Sequence, residues 1–300
     1  MKMKTSYLLS YVAVPLLLII TGVATYLCIR TGVNKELTTY ALFLFTFIYI
    51  LALERTIPLK AHWKAEKKSL QTDLKHLFFS TAMFDALAKT IAIAAILELH
   101  GYYSTGISLW NGFPFIVNFI IASIIGELLP YVYHRISHIG NQSSSLSIFL
   151  WKVHAVHHLP TSLNWFKTNW IHPLNIFLNT FFKIAPLLLL GFSENVLFSV
   201  AIMHMVVAYL SHANIKTYTG ILDYIIVTPK LHHFHHSTNM AQAKNFGNIL
   251  PFWDQVCGTF YNKNELVEEV GVVKSDTVQY PGKADYLEHL KFPFSLKNCC

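Results

Sequence analysis

Charge is what this chain has least of. Asp, Glu, Lys and Arg make up 13% of its 300 residues while 53% are hydrophobic, and that is about half the charge of an ordinary soluble domain. A mean hydropathy of +0.41 makes lipid the solvent for much of the chain. Cysteine is also scarce. Cys28, Cys257, Cys299 and Cys300 have no paired spacing, which excludes a disulfide framework, a thiolate zinc site and an iron–sulfur centre. The terminal Cys299-Cys300 pair reads as an unmodified tail or as an acylation or prenylation signal. No glycine-rich phosphate loop or dinucleotide fingerprint follows a strand pattern, so electrons or phosphate from a bound nucleotide are not expected. The excess of positive charge, +7, sits between apolar runs. That placement fits a cytoplasmic membrane surface and argues against nucleic acid as partner.

The long apolar runs are Tyr7–Ile29, Leu37–Leu53, Leu77–Leu99 and Phe113–Tyr133. Each approaches the length of about 20 residues that a helix needs to cross a bilayer core. The first follows Met1-Lys2-Met3-Lys4 in the manner of a signal sequence. Its length and the spans behind it predict an uncleaved first span. The third carries Asp85 and Lys89, spaced to pair on one helical face. Arg55, Lys60, Lys64, Lys67, Lys68 and Lys75 lie between the second and third runs, whereas Gly101–Gly112 has no Lys or Arg. The positive-inside rule therefore puts the N-terminus and the basic loop in the cytoplasm, with the chain returning there at His134. The basic loop is also suited to lie along the interface. A further pair, Leu174–Leu190 and Val196–Leu210, is broken at Gly191-Phe192-Ser193-Glu194-Asn195 and forms a full or a re-entrant hairpin. From about Lys216 onward the chain reads as mostly soluble. The expected fold is all-α and integral to the membrane, with about four transmembrane helices, a helical hairpin and a cytoplasmic histidine-rich cap.

Histidine is over-supplied. Of 16 histidines, 12 lie between His134 and His236. His134 and His138 are spaced i,i+4 on a helix continuing from the fourth span and share a face. In His154-Ala155-Val156-His157-His158, His154 and His157 share a face while His158 is turned about 100° from its neighbour, a set suited to two adjacent metals. His232, His235 and His236 repeat that pattern. His172 and His212 flank the hairpin near the same boundary. Neutral imidazole is a good ligand for first-row metals. Eight or more imidazoles with few carboxylates exceed what one tetrahedral zinc can use. Two metals with positions open to oxygen fit the number better. A metal transporter would instead distribute His, Asp and Glu along the middle of its spans; these histidines gather at one boundary.

These runs and their surroundings, Tyr133–His138, Trp151–His158 and Thr228–Ser237, followed by Asn245-Phe246-Gly247, Trp253-Asp254 and Gly258-Thr259-Phe260, resemble the fatty acid hydroxylase/sterol desaturase superfamily of membrane di-iron enzymes. The likeness covers roughly Phe113 to Tyr261. It divides the chain into N-terminal spans and basic loop (1–112), a catalytic domain (113–262) and a cytoplasmic tail (263–300). It implies a non-haem di-iron oxygenase hydroxylating a lipid C–H bond with O₂. Desaturation, sterol methyl oxidation and ether-lipid cleavage are the other outcomes of the same scaffold. The surroundings of Trp151 and Thr228-Pro229 look most like the alkylglycerol monooxygenase branch, which implies ether-lipid cleavage and a pterin as electron donor.

By the same resemblance His134, His138, His154, His157, His158, His232, His235 and His236 are the catalytic iron ligands, with His212 as an added metal ligand. Lys216 stands where some members carry one more histidine. His172, before Pro173, is placed near the site without being a ligand, and the pair lacks the glycines of a fused haem carrier. His233 stands where relatives often have Arg and takes a supporting role. His204 is expected to be packed within the hairpin. The electrons must then come from a separate reductase or carrier. Glu127 lies on nearly the same helical face as His134 and His138 and is a candidate to hydrogen-bond a ligand imidazole; a purely structural carboxyl, protonated or paired with Asp85/Lys89, is the other reading. Trp253-Asp254 and Gly258-Thr259 read as a structural turn beneath the site. Glu265, Glu268 and Glu269 read as a solvated face.

Overall fold

The computed structural model describes residues 2–63, 69–103, 110, 112–139, 144–273, 279–282 and 285–295. Lys64, Lys67 and Lys68 of the basic loop, most of the loop after the third span, and Cys299-Cys300 lie outside the described residues. Among the described residues the chain is helical, with one isolated bridge between Ser237 and Val270.

Two long helices open the chain, α1 (Lys2–Thr31) and α2 (Lys35–Thr56). Inside α1 the buried Thr21 and Thr25 hydroxyls donate to the carbonyls of Leu17 and Thr21 at 2.8 Å, so both are satisfied within their own helix. The third span is one continuous helical rod in three pieces. α3 (Leu70–Lys75) runs through a π-helical stretch, His76–Ala82, into α4 (Met83–Tyr103). The π-stretch brings His76 and Ser80 together on the buried side. As their spacing predicts, Asp85 and Lys89 pair on α4, and Asp85 also accepts from Thr180 Oγ1 at 2.8 Å.

α5 (Phe115–Ile139) is followed by α6 (Ser145–His158), α7 (Pro173–Leu189) and α8 (Glu194–Ser211). Among the described residues five helices are long and apolar enough to cross a membrane, and α7 is a shorter apolar helix. α7 packs against both α4 and α5, and α8 against α1, α2 and α5. Lipid gives no hydrophobic drive between helices, so close approach matters. At Gly126 a Cβ would stand 3.2 Å from Leu187 Cδ1, and α5 and α7 meet there. Ala13, Leu17, Ile50, Ile202, Val206 and Leu210 fill the seam of α1, α2 and α8.

The remaining elements are short: α9 (Pro229–His235), α10 (Phe252–Cys257) and α11 (Tyr286–Lys291). Three buried polar ties fasten the connecting segments to the spans. Glu54 Oε1 accepts from Trp165 N and Asn214 N, both at 2.9 Å. Asp73 is paired with Lys167 at 2.6 Å and also takes the indole N–H of Trp170. His289 on α11 meets His76 at 2.9 Å, which docks the C-terminal helix on the third span.

Candidate metal centre

Four elements deliver nine imidazoles to one place. The end of α5 supplies His134 and His138, α6 supplies His154, His157 and His158, the C-cap of α8 supplies His212, and α9 with its C-cap supplies His232, His235 and His236. α9 is nucleated by Pro229 at its first position, and Thr228 before it donates to the buried Asp223 at 2.7 Å. The nine divide into a group of five, His134, His138, His154, His158 and His235, and a group of four, His157, His212, His232 and His236. Within each group one nitrogen per ring lies within 4.8 Å of every other. The two groups abut, with the rings of His158 and His236 4.3 Å apart.

The division corrects one expectation. His154 and His157 do not serve together; His154 pairs with His158, while His157 points to the other group. In the third run His232 pairs with His236, and His235 crosses over. Neighbours four apart on a helix are separated by about 40° around the axis and those three apart by about 60°, so the i,i+4 pairs converge more closely on one point.

Five of the nine rings are held by their far nitrogens. His134 Nδ1 donates to Phe246 O at 2.7 Å, His157 Nδ1 to Trp170 O at 3.1 Å, His235 Nδ1 to Lys244 O at 3.0 Å and His212 Nδ1 to Ala208 O at 3.3 Å. His154 Nδ1 donates to Asn175 Oδ1 at 3.2 Å, and that oxygen also accepts from Tyr133 OH at 3.0 Å. With these five Nδ1 protons committed, the Nε2 atoms of the same rings carry lone pairs, whereas Nδ1 of His232 and His236 is buried with no hydrogen-bond partner among the described residues. The Nε2 atoms nevertheless face one another. His134 Nε2 lies 3.0 Å from Nε2 of both His154 and His235, and His212 Nε2 lies 3.1 Å from His157 Nε2 and 2.9 Å from His232 Nε2. Buried lone pairs at that separation repel unless a cation lies among them. His138 Nε2 is buried with no hydrogen-bond partner among the described residues, an orphan that costs about 1–3 kcal/mol unless it is ligated.

The five donors of the first group exceed what one tetrahedral zinc can use. Burial, followed by the neighbouring imidazoles, pushes His154, His158, His232, His235 and His236 well below the ordinary imidazole range; burial, partly offset by the bond to the Trp170 carbonyl, lowers His157 to about 4. The rings outside the spans are therefore neutral at physiological pH, as metal ligation requires.

The supporting residues are placed less as expected. Glu127 hydrogen-bonds no imidazole among the described residues. Its Oε2 accepts from Asn248 N and Ile249 N, both at 2.9 Å, and it is not paired with Asp85 or Lys89. Its influence runs through the 246–249 loop, whose Phe246 carbonyl holds His134. Asp254 secures the same loop from the other side, accepting from Phe246 N, Gly247 N and Thr259 Oγ1 at 2.8, 2.7 and 2.6 Å. The stretch is thus a structural turn, as its sequence suggests. Gly247 is required there, since a Cβ would stand 2.3 Å from Leu250 O. His172 caps α7 by accepting from Leu174 N and donates to Leu290 O at 3.2 Å. It anchors the C-terminal segment and joins neither group. The ring of His233 lies edge-on to Trp63 at 5.4 Å and also joins neither. His204 lies in α8, and its Nδ1 is buried with no partner among the described residues. Lys216 is exposed. Asn175 and the four backbone carbonyls are the participants that sequence reasoning missed. Carbonyls have no sequence signature, and Asn175, two residues after Pro173, offered only its place beside a suspected site.

A bundle of membrane-spanning helices carrying two adjoining, inward-turned imidazole groups defines a multi-pass membrane protein with a histidine-rich site able to hold metal. Comparison with known proteins narrows the class. The fatty acid hydroxylase family model matches residues 119–259. The ornithine lipid hydroxylase OlsE of Rhizobium tropici is 30% identical over 273 residues, covering 85% of this chain and 75% of that protein. Human alkylglycerol monooxygenase is 28% identical over 139 residues, 46% of this chain and 29% of that protein. The chain belongs to the fatty acid hydroxylase family. No solved structure matches it.

Proposed function

We propose that this protein is a non-haem di-iron oxygenase that hydroxylates a C–H bond of a membrane lipid, using O₂ and externally supplied electrons. The observation that carries the reading is the set of nine buried imidazoles turned inward in two adjoining groups, in a chain of this family. One iron would be held by His134, His138, His154, His158 and His235, and the other by His157, His212, His232 and His236. When bound, the pair supplies O₂ activation and the oxidising power for the C–H bond. The chain's own residues do the rest. Asn175 and the carbonyls of Phe246, Trp170, Lys244 and Ala208 fix the tautomer and ring orientation of His154, His134, His157, His235 and His212. Burial of the groups keeps water from the centre.

Hydroxylation is preferred to ether cleavage because the likeness to the ornithine lipid hydroxylase extends over 85% of the chain, against 46% for the alkylglycerol monooxygenase. A lipid with an amino-acid head group is accordingly the first substrate to assay. The family match supports 113–262 as the catalytic domain. The basic loop supports a cytoplasmic N-terminus, site and C-terminus, with a separate reductase or pterin donor approaching from that side. The test is lipid mass spectrometry of a host expressing the wild-type chain or His157→Ala. A lipid that gains one oxygen atom with the wild type alone is the expected result. Identical lipid profiles in both would refute the reading.

A further inference from the structure

The segments that follow the last long helix look soluble by length, yet the structure lays two of them along a membrane span. The stretch 248–259 is fastened to α5 at three levels. Trp253 Nε1 donates to Ile124 O at 2.9 Å, Glu127 takes the backbone N–H groups of Asn248 and Ile249, and Tyr131 OH meets Thr259 Oγ1 at 2.9 Å. Ile124 precedes Arg135, the first cationic side chain on α5, by eleven residues, or about 16 Å of helix. That is about half of a 30 Å hydrocarbon core. The second stretch, 217–226, lies beside the first. Val227 N donates to Ile249 O at 2.7 Å and Gln255 Nε2 to Tyr224 O at 2.9 Å. It also meets α1 below its start, where Tyr218 N donates to Ser10 O at 2.8 Å and the Tyr218 ring stacks on Tyr11 at 4.8 Å.

What these segments show to their surroundings is mainly apolar, the exposed Gln255 amide being tied to Tyr224 O. Ile221 is 75% exposed and Val256 60%, with Tyr224, Ile225 and Phe252 also exposed. Stretches 217–229 and 245–262 contain one charged residue each, Asp223 and Asp254, and both carboxylates are buried. A face that meets water would carry solvated charge; this one has turned its only two charges inward. On α5 the exposed Leu128, Leu129, Val132 and Ile136 continue the apolar surface to the level of His134.

We infer that segments 217–226 and 248–257 are immersed in one leaflet as a non-spanning, re-entrant surface in contact with lipid acyl chains. The two imidazole groups then lie behind this face at the depth of the lipid head groups and upper acyl chains, and not in a water-surrounded cap. Asp223 and Asp254 are internal hydrogen-bond hubs that let the chain enter lipid without exposing charge. The inference rests on the multi-pass reading of the chain and is independent of which reaction it performs.

The test uses the full chain in liposomes with its native cysteines replaced by serine and single nitroxide labels at Ile221→Cys, Val256→Cys or Phe252→Cys. Labels at Ile120→Cys on α5 and at the exposed Asn264→Cys serve as references. Accessibility to O₂, which concentrates in the bilayer, is compared with accessibility to a water-soluble nickel chelate. The expected result is an O₂-to-nickel ratio at positions 221, 252 and 256 matching that at 120 and several-fold above that at 264. Ratios at these positions equal to that at 264 would overturn the inference. Shielding from both reagents would also overturn it, because a protein partner would then cover the face. A low ratio at 120 itself would refute the multi-pass reading, so the two failures are distinguishable.

Discussion

Asn175 offers the sharpest way to break the site without touching a ligand. Its Oδ1 accepts from His154 Nδ1 at 3.2 Å and from Tyr133 OH at 3.0 Å, so it orients one imidazole of the five-histidine group and satisfies a buried phenol. In Asn175→Ala the His154 ring loses its orienting acceptor, and its proton is no longer committed to Nδ1. Loss of such an outer partner typically weakens metal binding 10–100-fold, which is about 1.4–2.7 kcal/mol. The group of four has no bond to Asn175 and should keep its affinity. Chelator competition followed by metal analysis should therefore show two release steps in the variant, with one ion lost at a lower chelator concentration and the other where the wild type loses it. Asn175→Asp, which keeps the acceptor and adds charge, should hold the first ion at least as tightly as the wild type. Release of both ions together at the wild-type concentration in Asn175→Ala would refute the assignment of His154 and the separateness of the two groups.

Gly247→Ala places a Cβ 2.3 Å from Leu250 O, so the 246–250 loop must shift and loosen the carbonyl that holds His134; weakened metal retention and a lower melting temperature are expected by chelator competition and calorimetry. Asp73→Ala leaves Lys167 buried without its 2.6 Å partner, a loss of about 3–5 kcal/mol that should appear as a large drop in melting temperature, with Asp73→Leu combined with Lys167→Met recovering much of it. The metal-free protein should lose stability on acidification. Burial pushes both His157 and His172 to about 4; an unfolded chain, titrating near 6.5, therefore binds more protons than the folded one between those values. Stability should be full above about pH 6.5 and fall as the pH drops toward 4, and a melting temperature constant across that window would contradict the buried, neutral state of these rings.

Much of the fold was legible because the bilayer imposes length. The apolar runs Tyr7–Ile29 and Leu37–Leu53 fall inside α1 and α2, and the break at Gly191–Asn195 is the turn between α7 and α8. The start of the third rod was not legible. α3 and the π-stretch begin at Leu70, in a polar segment whose burial depends on tertiary partners such as Lys167, Trp170 and His289. At the site, the nine histidines that the structure gathers were all suggested by spacing or by family likeness. Their partition was not, because i,i+3 and i,i+4 neighbours flank the first residue at similar offsets, about 60° to one side and about 40° to the other, and the position of the facing elements decides between them. Glu127 stood out as an intramembrane carboxylate, open to a bond with a ligand imidazole or to a structural role, and in the structure it holds the backbone of Asn248 and Ile249. Only the fold shows that the backbone of Asn248 and Ile249 reaches it before any imidazole does.

The account stands or falls on whether the two imidazole groups hold metal. The most direct measurement is the metal content of the purified full-length chain by mass spectrometry, alongside His154→Ala and His212→Ala. About two irons per chain in the wild type, with each variant losing chiefly the ion of its own group, is the predicted result. A wild-type chain purified under iron-replete conditions that contains no metal, or a single zinc untouched by either substitution, would contradict it.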